Sequence, residues 1–426
     1  MPEHRLPRVT TPLPGPESQR LSAAAERFEA PGINALYGGH PNIFWREASG
    51  ANVLDADGNC FVDLTAGFGV AAIGHRHPAV VEAVRTQSER LVHGLGDAMS
   101  HPERPRLAER LAALVPAAGD ERQVYFAVSG SDAVEVALKT AALATDRPGI
   151  VAFEPAYHGL TLGSLQATSR GEFRRPFSDH FHVHVHRLPF GGPTTALEEL
   201  LRENEVGAVI CEPIVGREGI LVPPEGWLRA VAEISREHGA LLIADEILTG
   251  FGRTGKLFAV EHEGVSPDLI CCGKALGGGL PIAAVVGRRE LMAGWRTSGE
   301  ALHTATFVGH PLACAAANAA LGVLLEEKLV ERAAEIGAEV GHRLESWKRL
   351  DAVEEIRGRG LFRGVKLADP SQAGLVFSRL LERGVMALAS DTSGVVQIVP
   401  PLTIERRQLE VALDALEDVL SGLAAD

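Results

Sequence analysis

The sequence predicts an α/β protein built on a mostly parallel sheet, followed by a smaller α+β segment. Three observations predict it. The stretches 206–211, 240–244 and 269–272 are apolar at nearly every position, as strands covered on both faces are. Stretches of helical period alternate with them from about residue 106 onward. Ser129, Tyr157, Glu212, Asp245 and Lys274 all stand at or just after the ends of such stretches, where open α/β sheets bind their ligands.

Taken in order, residues 1–20 form a Pro- and Arg-rich arm and 22–29 a short helix. Residues 52–63 read as a hairpin around the turn Asp57-Gly58. Gly74-His-Arg-His-Pro78 is a turn into a helix over 79–91, with His75 and His77 as turn and cap residues. A helix over 106–114, a strand over 124–128, a helix over 131–144 and a strand over 150–153 follow. His180, His182, His184 and His186 alternate, which predicts a solvent-facing strand; neighbours on one strand face do not close a tetrahedral metal shell. The strand 206–211, the helix 227–238 stopped by Gly239, and the strands 240–244, 269–272 and 282–286 complete the α/β part. Beyond 310 come helices over 311–325 and 330–350, strands within 353–366, a helix over 374–383, a strand over 395–399 and a helix over 404–423.

A length of 426 residues allows a large core, and 46% apolar with 23% charged residues is ordinary globular composition. The net charge of −14 excludes nucleic acid as a main partner and argues against an anionic membrane surface. Met1-Pro-Glu-His-Arg-Leu-Pro7 has no apolar stretch of the secretory kind, and the most apolar helix, 311–325, is too short for a bilayer. Five cysteines without a C-x-x-C pair predict reduced thiols in a cytoplasmic protein.

The chemistry centres on Lys274. The strand before it ends at Gly273, and Gly277, Gly278 and Gly279 permit a tight reversal after it. Burial disfavours an ammonium, so a lysine there is suited to Schiff-base chemistry, although a lone lysine at a strand end is commonly a solvated cap. Ser129-Gly-Ser-Asp132 leads a strand into a helix, whose first N–H groups attract an anion. Asp245 ends a buried strand, where a carboxylate needs a cation or hydrogen bonds. An aldehyde-binding lysine, a phosphate cradle and an acid for a ring nitrogen together fit pyridoxal phosphate.

Four motifs then carry a resemblance: Cys271-Cys-Gly-Lys-Ala-Leu-Gly-Gly-Gly279, Ala244-Asp-Glu-Ile-Leu-Thr-Gly-Phe-Gly-Arg-Thr-Gly255, Ala156-Tyr-His-Gly159 and His303-Thr-Ala-Thr-Phe-Val-Gly-His-Pro-Leu-Ala313. In that order, over residues 45–420, the chain resembles the class III pyridoxal-phosphate aminotransferases, which include the ornithine, 4-aminobutyrate and ω-amino acid aminotransferases. The resemblance implies fold type I, with a large domain over 66–309 on a mostly parallel seven-stranded sheet. It implies a smaller α+β domain built from 1–65 and 310–426. It implies transfer of an amino group between an amino acid or amine and a 2-oxo acid, through a Schiff base at Lys274 and pyridoxamine phosphate. Asp245 is expected on the pyridine nitrogen and Ser129, Gly130 and Ser131 on the phosphate. Tyr157 and Ile247 are expected on the two ring faces, with His158 beside Tyr157 and Glu212 in the polar network near the lysine. Thr306 is expected to reach the phosphate of a neighbouring subunit, which implies a homodimer with shared active sites, or a tetramer of two such pairs. A racemase, epimerase or aminomutase on the same scaffold is the alternative activity.

The chain also departs from that family. Many relatives carry a glutamate and an arginine that form a carboxylate switch, at the positions held here by Arg217 and Gln397. Leu248 stands where a glutamine is usual. Arg217 is therefore expected to meet the substrate carboxylate, with Phe68 and Gln397 as further substrate-side residues, and 2-oxoglutarate is not assured as the acceptor.

Overall fold

The computed structural model describes residues 5–32, 42–296 and 299–423. The chain divides into two compact units, one of Pro78–Glu331 and one of Met1–His77 with Arg332–Asp426.

The larger unit is built on a seven-stranded sheet: β1 (Arg122–Ala127), β2 (Gly149–Glu154), β3 (Val185–Pro189), β4 (Val206–Cys211), β5 (Leu241–Asp245), β6 (Leu269–Cys272) and β7 (Ala283–Arg288). Their spatial order is β1-β7-β6-β5-β4-β2-β3. β2 through β6 pair in parallel, while β7 runs antiparallel to both of its neighbours. β1 therefore points the same way as the parallel strands, and six carboxyl ends lie along one edge. Every residue of β4, β5 and β6 is buried, which is why these strands are continuous apolar runs in sequence.

The helix Gly130–Thr145 covers this sheet with Ala133, Val134, Ala137 and Ala141, against Ile210, Ile243, Leu269 and Val285. Small side chains on the helix bring its axis close, and each buried Val, Leu or Ile contributes roughly 1.5–3 kcal/mol. The Ser129 side chain caps the helix by accepting from the Asp132 N–H at 3.2 Å. The helix Pro311–Glu326 is apolar nearly all round because the helices Pro78–Ser88 and Glu103–Leu114 lie against it. It belongs to the larger unit and not to the C-terminal segment, in which the sequence grouped it.

The smaller unit holds two four-stranded sheets. One contains the hairpin Asn52–Asp55 and Cys60–Asp63, turning at Asp57-Gly58 as the sequence predicts; the short strand Val385–Met386 joins it in parallel. The other is antiparallel: Val353–Arg359, Phe362–Leu367, Val395–Ile398 and Leu388–Ser390. Ala66, Gly67, Phe68 and Gly69 all have positive φ, of 47°, 55°, 61° and 82°. Asp63 stabilises this unusual run by accepting from the Thr65 N–H at 2.7 Å, the Thr65 hydroxyl at 2.6 Å and the Gly67 N–H at 3.2 Å. His75 lies 2.8 Å from the same carboxylate.

The histidine stretch differs from expectation. A 3₁₀ turn, Arg175–His180, ends at the first histidine, and β3 begins only at Val185. Of the four, only the rings of His184 and His186 lie together, with centroids 4.2 Å apart. The paired strand begins at Val185, so of the four histidines only His186 lies within it, while the His184 carbonyl accepts from the Ile150 N–H at 3.1 Å. Among the described residues no helix is long and apolar enough to cross a membrane.

Candidate active site

Five strand ends of the larger unit converge on one cavity of about 220 Å³, lined by Ser129, Gly130, Ser131, Tyr157, His158, Gly159, Glu212, Arg217, Asp245, Ile247, Leu248 and Lys274. The sequence reached most of these residues one by one; the parallel sheet brings them together.

Lys274 opens a single 3₁₀ turn, Lys274–Gly277, with a left-handed φ of 39°. A non-glycine residue there is strained, and the flanking β6 and β7 hold it. Dense protein around its amine lowers the pKa below the usual lysine value. The carboxylates of Asp245 and Glu212 oppose that shift, and the Arg217 charge adds to it.

Asp245 is buried. One carboxylate oxygen accepts from the Ile247 N–H at 3.1 Å, and the other lies 2.8 Å from His158 Nδ1. Facing a carboxylate, Nδ1 carries the hydrogen and donates it. That leaves His158 Nε2, which is buried and has no hydrogen-bond partner among the described residues. An unsatisfied buried group costs about 1–3 kcal/mol, so the site is arranged for a further polar group. The His158–Asp245 contact is not readable from sequence, because the two residues are separated by 86 others and only the order of strands makes them neighbours.

Glu212 joins two loops. Its oxygens accept from the Tyr157 N–H at 3.0 Å and the Gly216 N–H at 2.9 Å. Burial pushes its carboxyl up to about 7; His158 and the two backbone donors lower it, and Asp245 raises it further. Glu246, the next residue after Asp245, does not line the cavity: it is buried, accepting from the Thr249 hydroxyl and from the Val260 N–H at 2.8 Å. Burial raises it to about 7 as well.

At the other end, Gly130 and Ser131 begin the helix whose N-terminus faces the cavity. A Cβ on Gly130 would meet Ile247 Cδ1 at 3.0 Å, so glycine lets that side chain close over the helix start. Gly159, at φ 117°, brings its backbone against Ser131; a Cβ there would meet the Ser131 hydroxyl oxygen at 2.2 Å. The Leu160 N–H donates to the same hydroxyl at 3.2 Å. Arg217 stands over the Tyr157 ring at 4.6 Å and the Phe173 ring at 5.3 Å.

These residues fit pyridoxal phosphate. A helix N-terminus with two serines suits its phosphate, a lysine of lowered pKa suits its aldehyde, and a buried carboxylate suits its protonated ring nitrogen. Thr306 is exposed and outside this lining. Phe68 and Gln397 belong to the smaller unit. There Phe68 lines a cavity with Trp45, Phe377 and Met386, and Gln397 is buried on the strand Val395–Ile398.

The family profile described as aminotransferase class-III matches residues 35–420. The acetylornithine aminotransferase of Methanopyrus kandleri is 44% identical over 371 residues, covering 87% of this chain and 92% of that protein. The acetylornithine aminotransferase of Methanosarcina acetivorans is 40% identical over 385 residues, covering 90% and 93%. Among solved structures, the ornithine aminotransferase of Toxoplasma gondii, described with partial occupancy of PLP at its active site, superposes with a TM-score of 0.87 at 30% identity, covering 96% of this chain and 95% of that one. The acetylornithine aminotransferase of Elizabethkingia anophelis superposes with a TM-score of 0.80 at 30% identity, covering 95% and 98%. Sequence and fold agree over most of the length with the expectation drawn from four motifs: the chain belongs to the class III aminotransferases.

Proposed function

We propose that this pyridoxal-phosphate-dependent aminotransferase works as a homodimer, with Lys274 as the cofactor-binding lysine and proton carrier, and with an amino acid bearing a terminal amine as donor. Amino-group transfer to a 2-oxo acid is the family's activity, and an isomerase reading of the same scaffold is not favoured by the relatives found. When bound, the cofactor supplies an aldehyde that takes up amines and a ring that withdraws electrons from the carbon beside the nitrogen.

The chain's own residues do the rest. Lys274 would hold the cofactor and carry the proton of the substrate carbon at its Nζ; burial lowers its pKa, which favours the amine form that such a role needs. Asp245, oriented by His158 Nδ1 at 2.8 Å, would hold the positive charge of the protonated ring nitrogen. Glu212 keeps Tyr157 and the Gly216 loop in place through its two backbone bonds. Ser129, Gly130 and Ser131 would bind the phosphate, and Tyr157 and Ile247, which line the same cavity, would pack on the ring.

The donor class is supported by the names of the relatives, acetylornithine and ornithine aminotransferases. The homodimer is supported by exposed apolar side chains, Leu95, Met99, Leu302 and Phe307, near Thr306 in sequence or space: a Cβ on Gly96 would lie 3.0 Å from the Thr306 carbonyl oxygen. Five unpaired, buried cysteines support a reducing compartment such as the cytoplasm.

The single observation that carries the assignment is Lys274 in one cavity with Asp245 and Glu212, its amine pKa lowered by burial. Borohydride reduction of the holoenzyme followed by peptide mapping tests it. The label is expected on Lys274, and label on another lysine refutes the assignment. Mixing the holoenzyme with ornithine alone is expected to leave the amino form of the cofactor and one equivalent of carbonyl product.

A further inference from the structure

We infer that Arg217 is a stationary anion anchor that meets the carboxylate of the amino donor and that of the oxo-acid acceptor in turn, in place of a switch that opens and closes between the two half-reactions. The inference rests on the aminotransferase reading and names the substrate class of the same site.

The loop that carries Arg217 is held at every side. Val215 and Leu221 exchange two backbone hydrogen bonds of 3.0 Å across its base. The Gly216 carbonyl accepts from the Gly219 and Ile220 N–H groups at 3.2 and 3.1 Å, and the Gly216 N–H donates to Glu212. Ile220 sits at φ 52°, a conformation that a β-branched residue takes only where its surroundings impose it. Glu218, buried, binds Arg170 Nε at 2.7 Å. A loop fixed this way does not swing its arginine out between half-reactions.

The side chain is held too. Its guanidinium lies over Tyr157 and Phe173, and the Arg170 guanidinium lies 5.8 Å from the Phe173 centroid, so one phenyl ring packs against both cations. Glu218 pairs with Arg170, and it is Arg217 that lines the cavity. A guanidinium presents a planar fork of N–H donors that fits a carboxylate, so the same fork can meet both substrates. The switch seen in many relatives needs an acid at 217 and an arginine at 397; this chain has Arg217 and Gln397. Glu218 and Arg170 act on substrate through Arg217 and are positioning residues.

The test uses glutarate, an unreactive dicarboxylate, titrated calorimetrically into the holoenzyme. Wild type is expected to bind it, and Arg217→Gln to weaken it about 10- to 100-fold, the range for losing a charge-assisted bidentate contact. Glu218→Gln is expected to give a smaller loss in the same direction. In steady state, Arg217→Gln is expected to raise KM for 4-aminobutanoate and for the oxo acid by similar factors. KM for 1-aminobutane, of the same chain length without a carboxylate, stays within about twofold. No glutarate binding to wild type, equal binding in both proteins, or a KM change confined to one substrate overturns the anchor. If wild type converts its cofactor to the amino form while glutarate binding is indifferent to Arg217, the anchor alone fails; if wild type does not convert it, the aminotransferase reading fails.

Discussion

Replacing Glu246 by glutamine isolates one buried proton. Its carboxyl is pushed up from 4.5 to about 7 because burial outweighs the bonds from Thr249, Val260 and Ala259. Between those pH values the folded protein holds a proton that the unfolded chain has released. Stability from this group is therefore complete below about 4.5 and is lost as pH rises through about 7. At 1.36 kcal/mol per unit, the loss is about 3 kcal/mol. With the usual specific entropy, a chain of 426 residues unfolds with roughly 0.9 kcal/mol/K, so the group contributes about 3 °C to the fall in Tm between pH 5 and pH 8. Glu212 has the same sign and adds to the wild-type fall. Glu246→Gln stays neutral throughout and should show a fall about 3 °C smaller than that of wild type. Differential scanning calorimetry of both proteins at pH 5 and pH 8 measures it. A Glu246→Gln protein with the full wild-type pH dependence would show that the burial argument is wrong, whatever its absolute Tm.

Gly159→Ala should be damaging out of proportion to one methyl group, since φ 117° is unfavourable for alanine and the new Cβ would overlap the Ser131 hydroxyl; a loss of at least about 1 kcal/mol in stability and weaker cofactor retention on gel filtration are expected. Asp245→Asn keeps the shape but removes the charge proposed to support the ring nitrogen, and kcat should fall by about 10²- to 10⁴-fold with a smaller change in KM, measured in single-turnover mixing. Phe307→Asp places a charge on the exposed apolar patch and should shift the protein toward monomer in light scattering; an unchanged dimer would place the interface elsewhere.

The central strands were legible in sequence for a physical reason. β4 and β6 are buried on both faces, so their apolar runs have sharp edges, and 206–211 and 269–272 match the structure residue for residue. β3 was placed too early, over the histidines at 180–186, because its positions are half-buried or exposed and leave no apolar run to fix its bounds. The helix Thr195–Glu203 was missed as well, although Leu197 and Leu201 are spaced one turn apart and are both buried. The acid and lysine of the site were legible because polar residues at the tips of apolar runs stand out. The support around them was not. Arg170, Phe173 and Glu218 look like ordinary loop residues until the fold brings segments 48 positions apart within 2.7 Å.

β7 runs backward between β1 and β6, and this has a mechanical outcome for the base. In place of a helix, the chain leaving Lys274 makes one tight turn and re-enters the same sheet, where Ala284 sits opposite Cys272. The lysine is thus fastened to the scaffold on its near and far sides. Its backbone has nowhere to travel, and any proton it ferries must be carried by rotation of its four-carbon stem alone.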